Sequence, residues 1–479
     1  MSKNIILGAF ISCFLPLIPA WGQMGLRKLS ATVWADEHKL YMAGHKEKLQ
    51  NFNDSISRGM LEFPLKINIV RKGDASGSIS VAEVEQAVTY LNQQFLPMYT
   101  RFTPLEDYNY MDEDKFYTFS KELESELCDK RDINNVINVY IVGSIKGEKN
   151  SFCAYTYPPS NRNKDRIIIG YKCFVDKVSF IRQIGHYLSL YPTHGTDDER
   201  RSAEVVDGKN CKETGDEICD TPADPRLDGR SVDGRCDYIG QVQDGTSKFY
   251  RPMISNFMSD NPRLTCVDKF TRQQYARMLY AAINMRNYLQ FPKSNKKNTK
   301  ALEAEYGVEG EVIIQINSAA MASKLERNLY KASNNYSAGS VYKISINNSK
   351  QGYIYILEGD SARGANLIYP QKGDKLFFNN EKYAFTYPKD PLLVDNQHIG
   401  SNFICVLFSK KQLPIADMVK KINALNEPRK NLMQKFYLLY GTDIVASHYL
   451  NYDDKGGMKV SGLTNERTIA PIWIEYKQD

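Results

Sequence analysis

The sequence predicts an α+β chain in two parts: a mixed sheet with helices, one of which carries the most chemically suggestive segment, and then a β-rich module. Three observations predict this. Between residues 65 and 190 the apolar period switches repeatedly between the two-residue pattern of strands and the helical one. From Gly307 onward, strand patterns with turn punctuation take over. A polar, basic stretch, Pro-Lys-Ser-Asn-Lys-Lys-Asn-Thr-Lys from residue 292, separates the two patterns. At roughly 150 residues per domain, 479 residues accommodate that division.

Taken in order, residues 65–70 (Leu-Lys-Ile-Asn-Ile-Val) alternate and are β-branched, which predicts a strand. Ser80 with Glu83 three residues later has the form of a capping box, opening an amphipathic helix through Phe95 on Val81, Val84, Val88 and Leu91. Residues 136–145 and 166–171 read as buried strands, and residues 178–190 as a helix stopped by Pro192. Residues 195–265 are rich in Asp, Gly and Pro without a period, a long loop region, and residues 271–288 read as the last helix of this part. In the second part, strands are expected at 312–316, 341–346, 353–357, 403–408 and 472–476, with helices at about 414–425 and 429–440.

Composition narrows the function classes. Lys plus Arg is 62 and Asp plus Glu is 56, a net charge of +6. Over this length that excess is too weak to argue for nucleic acid, and no basic stripe is interleaved with stacking aromatics. One long apolar run exists, residues 5–20, behind Ser2-Lys3-Asn4 and ahead of Ala20-Trp21-Gly22. Its length, its prolines at 16 and 19 and the small residues before Gln23 predict a secretory signal, residues 1–22. A lipoprotein signal ending at Cys13 is the weaker alternative, because apolar residues follow that cysteine. The mature chain is therefore expected to be exported (periplasmic, cell-surface or secreted), with no transmembrane segment. Nine cysteines are present, and setting Cys13 aside leaves eight, seven of them between residues 128 and 266. In an oxidising compartment this predicts disulfides among Cys153, Cys173, Cys211, Cys219, Cys236 and Cys266, with the pairing open.

The chemistry should reside in residues 181–194, Ile-Arg-Gln-Ile-Gly-His-Tyr-Leu-Ser-Leu-Tyr-Pro-Thr-His. They have the frame of the zinc helix H-E-x-x-H-x-x-G-x-x-H, in which three histidines hold zinc and the glutamate is the general base. Asp216-Glu-Ile-Cys-Asp-Thr-Pro222, Asn256-Phe-Met-Ser259 and Phe270-Thr-Arg-Gln-Gln-Tyr-Ala-Arg-Met278 follow in order. Together, over about residues 64–290, these segments resemble the pappalysin-like branch of the metzincin metallopeptidases. The resemblance implies a metzincin-like mixed sheet, with Met258 as the Met-turn methionine packed beneath the site.

The departures decide the expected function. Arg182 stands at the first ligand position and cannot ligate. Gln183 stands at the base, Ser189 at the glycine whose bend needs positive φ, and Pro192 at the third ligand. Only His186 remains in frame. A catalytic zinc needs about three protein ligands and an open water position, so the resemblance implies the scaffold without the reaction and no catalytic residue. His186 then reads as a partly buried histidine with one hydrogen bond. The rival is a rearranged zinc set of His186, His194 and one of Asp197, Asp198 and Glu199, which would make a metalloendopeptidase. Asp216 and Asp220 lie on a loop that in the resembled family can hold calcium, and hard oxygen donors suit that ion; the alternative is solvated loop acids with local turn bonds.

Residues 337–410 resemble a bacterial domain of unknown function found in exported proteins. They do so through Ala338-Gly-Ser-Val-Tyr-Lys-Ile-Ser-Ile346, Gly352-Tyr-Ile-Tyr-Ile-Leu357, Leu367-Ile-Tyr-Pro370 and Phe403-Ile-Cys-Val-Leu-Phe-Ser409. The aromatics of residues 352–357 alternate, so half are expected to face a core and the others to be available as a binding patch. The organisation read from sequence is a signal at 1–22, a leader at 23–63, the metzincin-like domain at 64–291, a linker at 292–304 and the β-rich domain at 305–479. The expected function is an exported pseudo-metallopeptidase with no required cofactor that binds a peptide or protein without cutting it. Structural or cell-envelope interaction is a further alternative.

Overall fold

The computed structural model describes residues 38, 40–45, 48, 59–105, 108–147, 151–160, 164–196, 202–292, 305–360, 364–379, 383–394, 400–464 and 467–479. The signal, most of the leader, the linker from residue 293 and Asp197-Asp198-Glu199 lie outside the described residues.

The architecture is α+β. In the first part, β1 (Leu61–Arg71) is the axis of a six-stranded sheet. It pairs in parallel with β2 (Thr100–Pro104), β3 (Asn109–Asp112) and β4 (Ile137–Val142). Beyond β4, in parallel, is β6 (Arg166–Gly170), and β5 (Ala154–Thr156) closes the sheet as an antiparallel edge strand on β6. The strands β4 and β6 are buried along their whole length, as parallel strands covered on both faces must be. One cover is α1 (Val81–Phe95), whose Ser80–Glu83 capping box forms with both reciprocal hydrogen bonds. Its inward face, Val84, Ala87, Val88, Leu91 and Phe95, joins a core with Ile67, Val139, Ile167 and Ile181. The chain then runs through α2 (Tyr171–Val175) into α3 (Val178–Tyr187), and ends this part with α4 (Arg272–Tyr280) and a π-helical turn, Ala281–Met285.

The second part is a two-sheet sandwich. One sheet has β7 (Gly307–Ile316) flanked by β10 (Val341–Asn348) and β16 (Met458–Leu463), with β13 (Tyr383–Leu393) and β15 (Leu450–Asp453) outside them. The other runs β8 (Ser323–Glu326), β9 (Leu329–Tyr336), β17 (Ile469–Gln478), β14 (Gly400–Ser409), β11 (Gly352–Asp360), β12 (Ala365–Tyr369). Helices α5 (Ile415–Ala424) and α6 (Leu432–Tyr440) cover its outer face.

This cover buries one of the two alternating aromatics of β11, Tyr355, while Tyr353 stays half-buried against the exposed Phe377. Ile354 and Ile356 face the sandwich core, while Tyr355 and Leu357 are equally buried under α5 and α6.

The two parts are joined by directional bonds. Met60 N donates to Asn328 Oδ1 at 2.8 Å, Asn431 Nδ2 to the Tyr99 hydroxyl at 2.8 Å and Gln434 Nε2 to the Leu96 carbonyl at 3.2 Å. Three disulfides, Cys153–Cys173, Cys211–Cys219 and Cys236–Cys266, staple the first part, and Cys128 and Cys405 are buried thiols. Cys211–Cys219 and Cys236–Cys266 give the long period-free loop covalent ties where it lacks ladder hydrogen bonds. Among the described residues no helix is long and apolar enough to cross a membrane.

Candidate functional site

The α3 helix begins where Asp176 accepts hydrogen bonds from Ser179 N at 2.8 Å and Ser179 Oγ at 2.9 Å. It stops before Pro192, by its own C-terminal turn. Leu190 N reaches the Gly185 carbonyl at 2.9 Å and Ser189 N the His186 carbonyl at 3.0 Å, with Ser189 at φ 83°. A left-handed residue closing the last turn is normally glycine. Here a serine holds the position, fully buried, its Oγ 3.3 Å from Met42 Sδ and 3.4 Å from Arg277 Nε. His38, from the leader, lies behind the same bend, its Nδ1 2.7 Å from the Pro159 carbonyl, and burial pushes its pKa down to about 3.

Across from α3, residues 256–259 make a tight turn, with Ser259 N bonded to the Asn256 carbonyl at 3.0 Å. Asn256 holds it from within: its Oδ1 accepts Met258 N at 2.8 Å, and its amide exchanges hydrogen bonds with Gln274 of α4. Met258 is fully buried, and a Cβ on Gly185 would come within 2.7 Å of its sulfur.

Arg182 bridges helix and turn. Its Nε donates to the Phe257 carbonyl at 2.8 Å and its Nη2 to the Ser259 carbonyl, while Nη1 lies 3.9 Å from Asp260 Oδ1. Asp260 is also approached by His194 Nδ1 at 3.5 Å and Arg226 Nε at 3.7 Å. His186 Nδ1 is 2.9 Å from the Leu190 carbonyl, which makes it the donor and Nε2 the unprotonated nitrogen. Burial lowers the His186 pKa to about 4, with Arg182 and His194 pushing in the same direction. The imidazole is therefore neutral at pH 7.

The structure thus brings Arg182, His186 and His194 around one carboxylate, Asp260, which the sequence reading did not single out; its one signal is its place directly after Met258-Ser259. Gln183 is buried on α3, and Pro192 gives its carbonyl to Gly195 N at 2.8 Å. Among the described residues His186, His194 and Asp260 do not form a grouping of ligand atoms within 4.8 Å, and the carboxylates of the expected zinc set, Asp197, Asp198 and Glu199, lie outside the described residues. Among the described residues the grouping with ligand atoms within 4.8 Å is Cys153, Cys173 and Asp176. Those sulfurs are bonded to each other and have no thiolate to give.

The acidic loop divides the two residues expected to act together. Asp216 is fully buried, its Oδ1 accepting Ile218 N at 3.0 Å and Thr221 Oγ1 at 2.8 Å. Asp220 is exposed and accepts Gln273 N at 2.8 Å, serving the first turn of α4. Asp216 instead faces Glu204 and Asp224, two buried acids missed in a stretch without periodicity. Burial pushes Asp216 and Glu204 each up to about 8 and raises Asp224 too. Asp216 Oδ2 and Glu204 Oε2 are buried without a hydrogen-bond partner among the described residues.

No family model matches the chain, and no curated protein is similar to it. Among solved structures the chain is similar to wild-type OgpA from Akkermansia muciniphila at 10% identity, over 74% of this chain and 90% of that chain, with a TM-score of 0.18. A likeness that slight carries no argument about fold or activity.

Proposed function

We propose that this chain is an exported, pappalysin-like pseudo-metallopeptidase that holds a peptide or protein without hydrolysing it. The observation that carries the reading is the Arg182 guanidinium, which takes the place of a first zinc ligand and donates to the carbonyls on either side of Met258. A fixed positive charge there opposes a dication, and Gln183 offers an amide where hydrolysis needs a base. Loss of the base alone removes about 10²- to 10⁴-fold in rate, and without two ligands no metal acidifies the water. Peptide capture needs neither. β5 is the edge strand of its sheet and packs beside α3, and an extended segment can add to such an edge by backbone hydrogen bonds.

The deciding experiment is the zinc content of the mature chain, residues 23–479, with disulfides intact, alongside casein cleavage and capture from a peptide library. Absent zinc, intact casein and a captured peptide would support the reading. Near-stoichiometric zinc lost on His186→Ala would replace it with a peptidase using His186, His194 and a carboxylate. No capture in a zinc-free, folded protein would leave the envelope-interaction role.

We further propose calcium as a structural ion of the acidic loop. The donors that fit are Asp216, Glu204 and Asp224, because three buried carboxylates, two of them with an oxygen lacking a hydrogen-bond partner among the described residues, are the chemistry a hard cation neutralises. When bound, the ion would supply positive charge that fixes the loop ahead of α4. Asp220 is not part of that donor set.

A further inference from the structure

A second site lies at the seam between the two parts, away from α3. A cavity of about 1470 Å³ opens between the outward face of α1 (Glu85, Gln86, Thr89), the strand β2, and the second part's Tyr449 and Arg467. None of Arg182, His186, His194 or Asp260 lines it. Ligand sites favour domain junctions of this kind, and the directional bonds between the two parts hold these walls in register.

Among the described residues the lining carries more positive than negative side chains. Lys66, Arg101, Lys177 and Arg467 line it together with Glu85. Behind Arg101 lies Glu62, 3.7 Å away, whose carboxylate also accepts Ser447 N at 2.6 Å and the Thr103 hydroxyl and offsets one of these positive charges, leaving the described lining still cationic. Arg467 is pushed down to about 10 by burial and by Arg101 beside it, and its guanidinium remains charged at pH 7. Paired guanidinium groups in a low-dielectric cleft focus a positive field and match the planar oxygens of an anion. Next to them Phe291 stacks on His448 with centroids 3.9 Å apart and planes 12° apart, and Tyr449 lies 3.9 Å from the same imidazole. That is a flat apolar surface adjoining a cationic one.

The cleft is also closed to an extended chain. β2 is the free edge of its sheet, yet Asn92 of α1 occupies it. Asn92 Nδ2 donates to the Phe102 carbonyl at 2.9 Å, and its Oδ1 accepts Phe102 N at 2.7 Å. A peptide adding as a strand would have to break both bonds, which distinguishes this cavity from the β5 edge.

We propose that this interdomain cavity binds a small ring-bearing oxyanion. Its carboxylate, sulfate or phosphate group lies at Arg101 and Arg467, and its ring lies on the Phe291–His448–Tyr449 stack. The test is a thermal-shift and calorimetric titration of the mature chain with benzoate, glucuronate, inorganic sulfate and inorganic phosphate, at ionic strength fixed with sodium chloride. The expected result is saturable stabilisation beyond the chloride control by at least one probe, weakened at least tenfold in Arg467→Gln and largely kept in Arg467→Lys. A carboxylate that outperforms sulfate and phosphate identifies the head group, and a ring acid that outperforms the bare ions identifies the stack. If Arg467→Gln does not fold, Lys66→Gln and His448→Ala serve as the weakened variants. No probe exceeding chloride, or equal binding by wild type and the folded variants, overturns the proposal.

Discussion

The Met258 sulfur rests on Gly185, where an added Cβ would come within 2.7 Å of it. This contact couples the helix to the turn of residues 256–259. Alanine within a helix is ordinarily better than glycine by about 1 kcal/mol, but overpacking a buried contact costs about 1–3 kcal/mol. Gly185→Ala is therefore expected to lower stability in urea unfolding. Its cost should shrink when combined with Met258→Ala, because the neighbour that creates the clash is gone. Additive costs for the two changes would show that the sulfur and the glycine do not meet.

Arg182 is expected to hold stability. Its guanidinium fork satisfies the Phe257 and Ser259 carbonyls and faces Asp260, which has only 6% of its side chain exposed. Arg182→Ala strands these acceptors, and each unsatisfied buried group costs about 1–3 kcal/mol. Lysine restores the charge without the planar fork, so Arg182→Lys should recover only part of the loss. A thermal melt of the three proteins checks the order wild type, lysine, alanine. An alanine variant as stable as wild type would remove the structural role assigned to this side chain.

How far the sequence could be read depended on whether the determining contacts were local. The capping box at Ser80 and Glu83, the strands around Ile67 and Ile168, and the two helices after β14 follow from neighbours a few residues apart, and they formed. Residues 271–288 were legible as helical, but not the change to a π-helical turn at Ala281. The stop of α3 looked like the work of Pro192, whereas Ser189 in a left-handed conformation ends it earlier. The strand β9 carries many polar residues and was missed, because much of it faces outward and apolar alternation is weak, and β13 was missed where two prolines interrupt its pattern. At the site, Arg182, His186 and His194 could be named from spacing. Asp260, Arg226, Glu204 and Asp224 could not, because what gathers them is the path of a long disulfide-tied loop with no period to read.

Ser189 offers a test of the bend itself. Glycine and alanine at this position both lose the Oγ contacts with Arg277 and Met42, so they differ mainly in tolerance of φ 83°. A left-handed conformation costs a residue with a Cβ about 1–2 kcal/mol, and alanine where φ is positive destabilises by more than it gains from a stiffer unfolded chain. Ser189→Gly should therefore be more stable than Ser189→Ala by about 1 kcal/mol in urea titrations. Equal midpoints would mean that the helix does not end in this conformation.

The acidic loop makes the pH dependence of stability informative. In the fold Asp216 and Glu204 are raised to about 8, from ordinary values of 3.8 and 4.5. Between those limits the folded chain binds more protons than the unfolded chain, so stability from these groups falls as pH rises. Their contribution is complete below about pH 4 and is lost as pH climbs through about 8. Asp224 adds to the mutual repulsion, while Arg277 and the Thr221 hydroxyl oppose it without cancelling it. The expected result is a melting temperature that declines from pH 5 to pH 8 in chelator, with a shallower decline in Asp216→Asn. Calcium needs ionised carboxylates, so its binding strengthens as pH rises. Calcium chloride at pH 8 should therefore raise the melting temperature of the wild type and flatten the decline, and do neither in Asp216→Asn. A calcium response of equal size in that variant would place the ion elsewhere. A decline unchanged by the substitution would mean that Asp216 is already ionised in the fold.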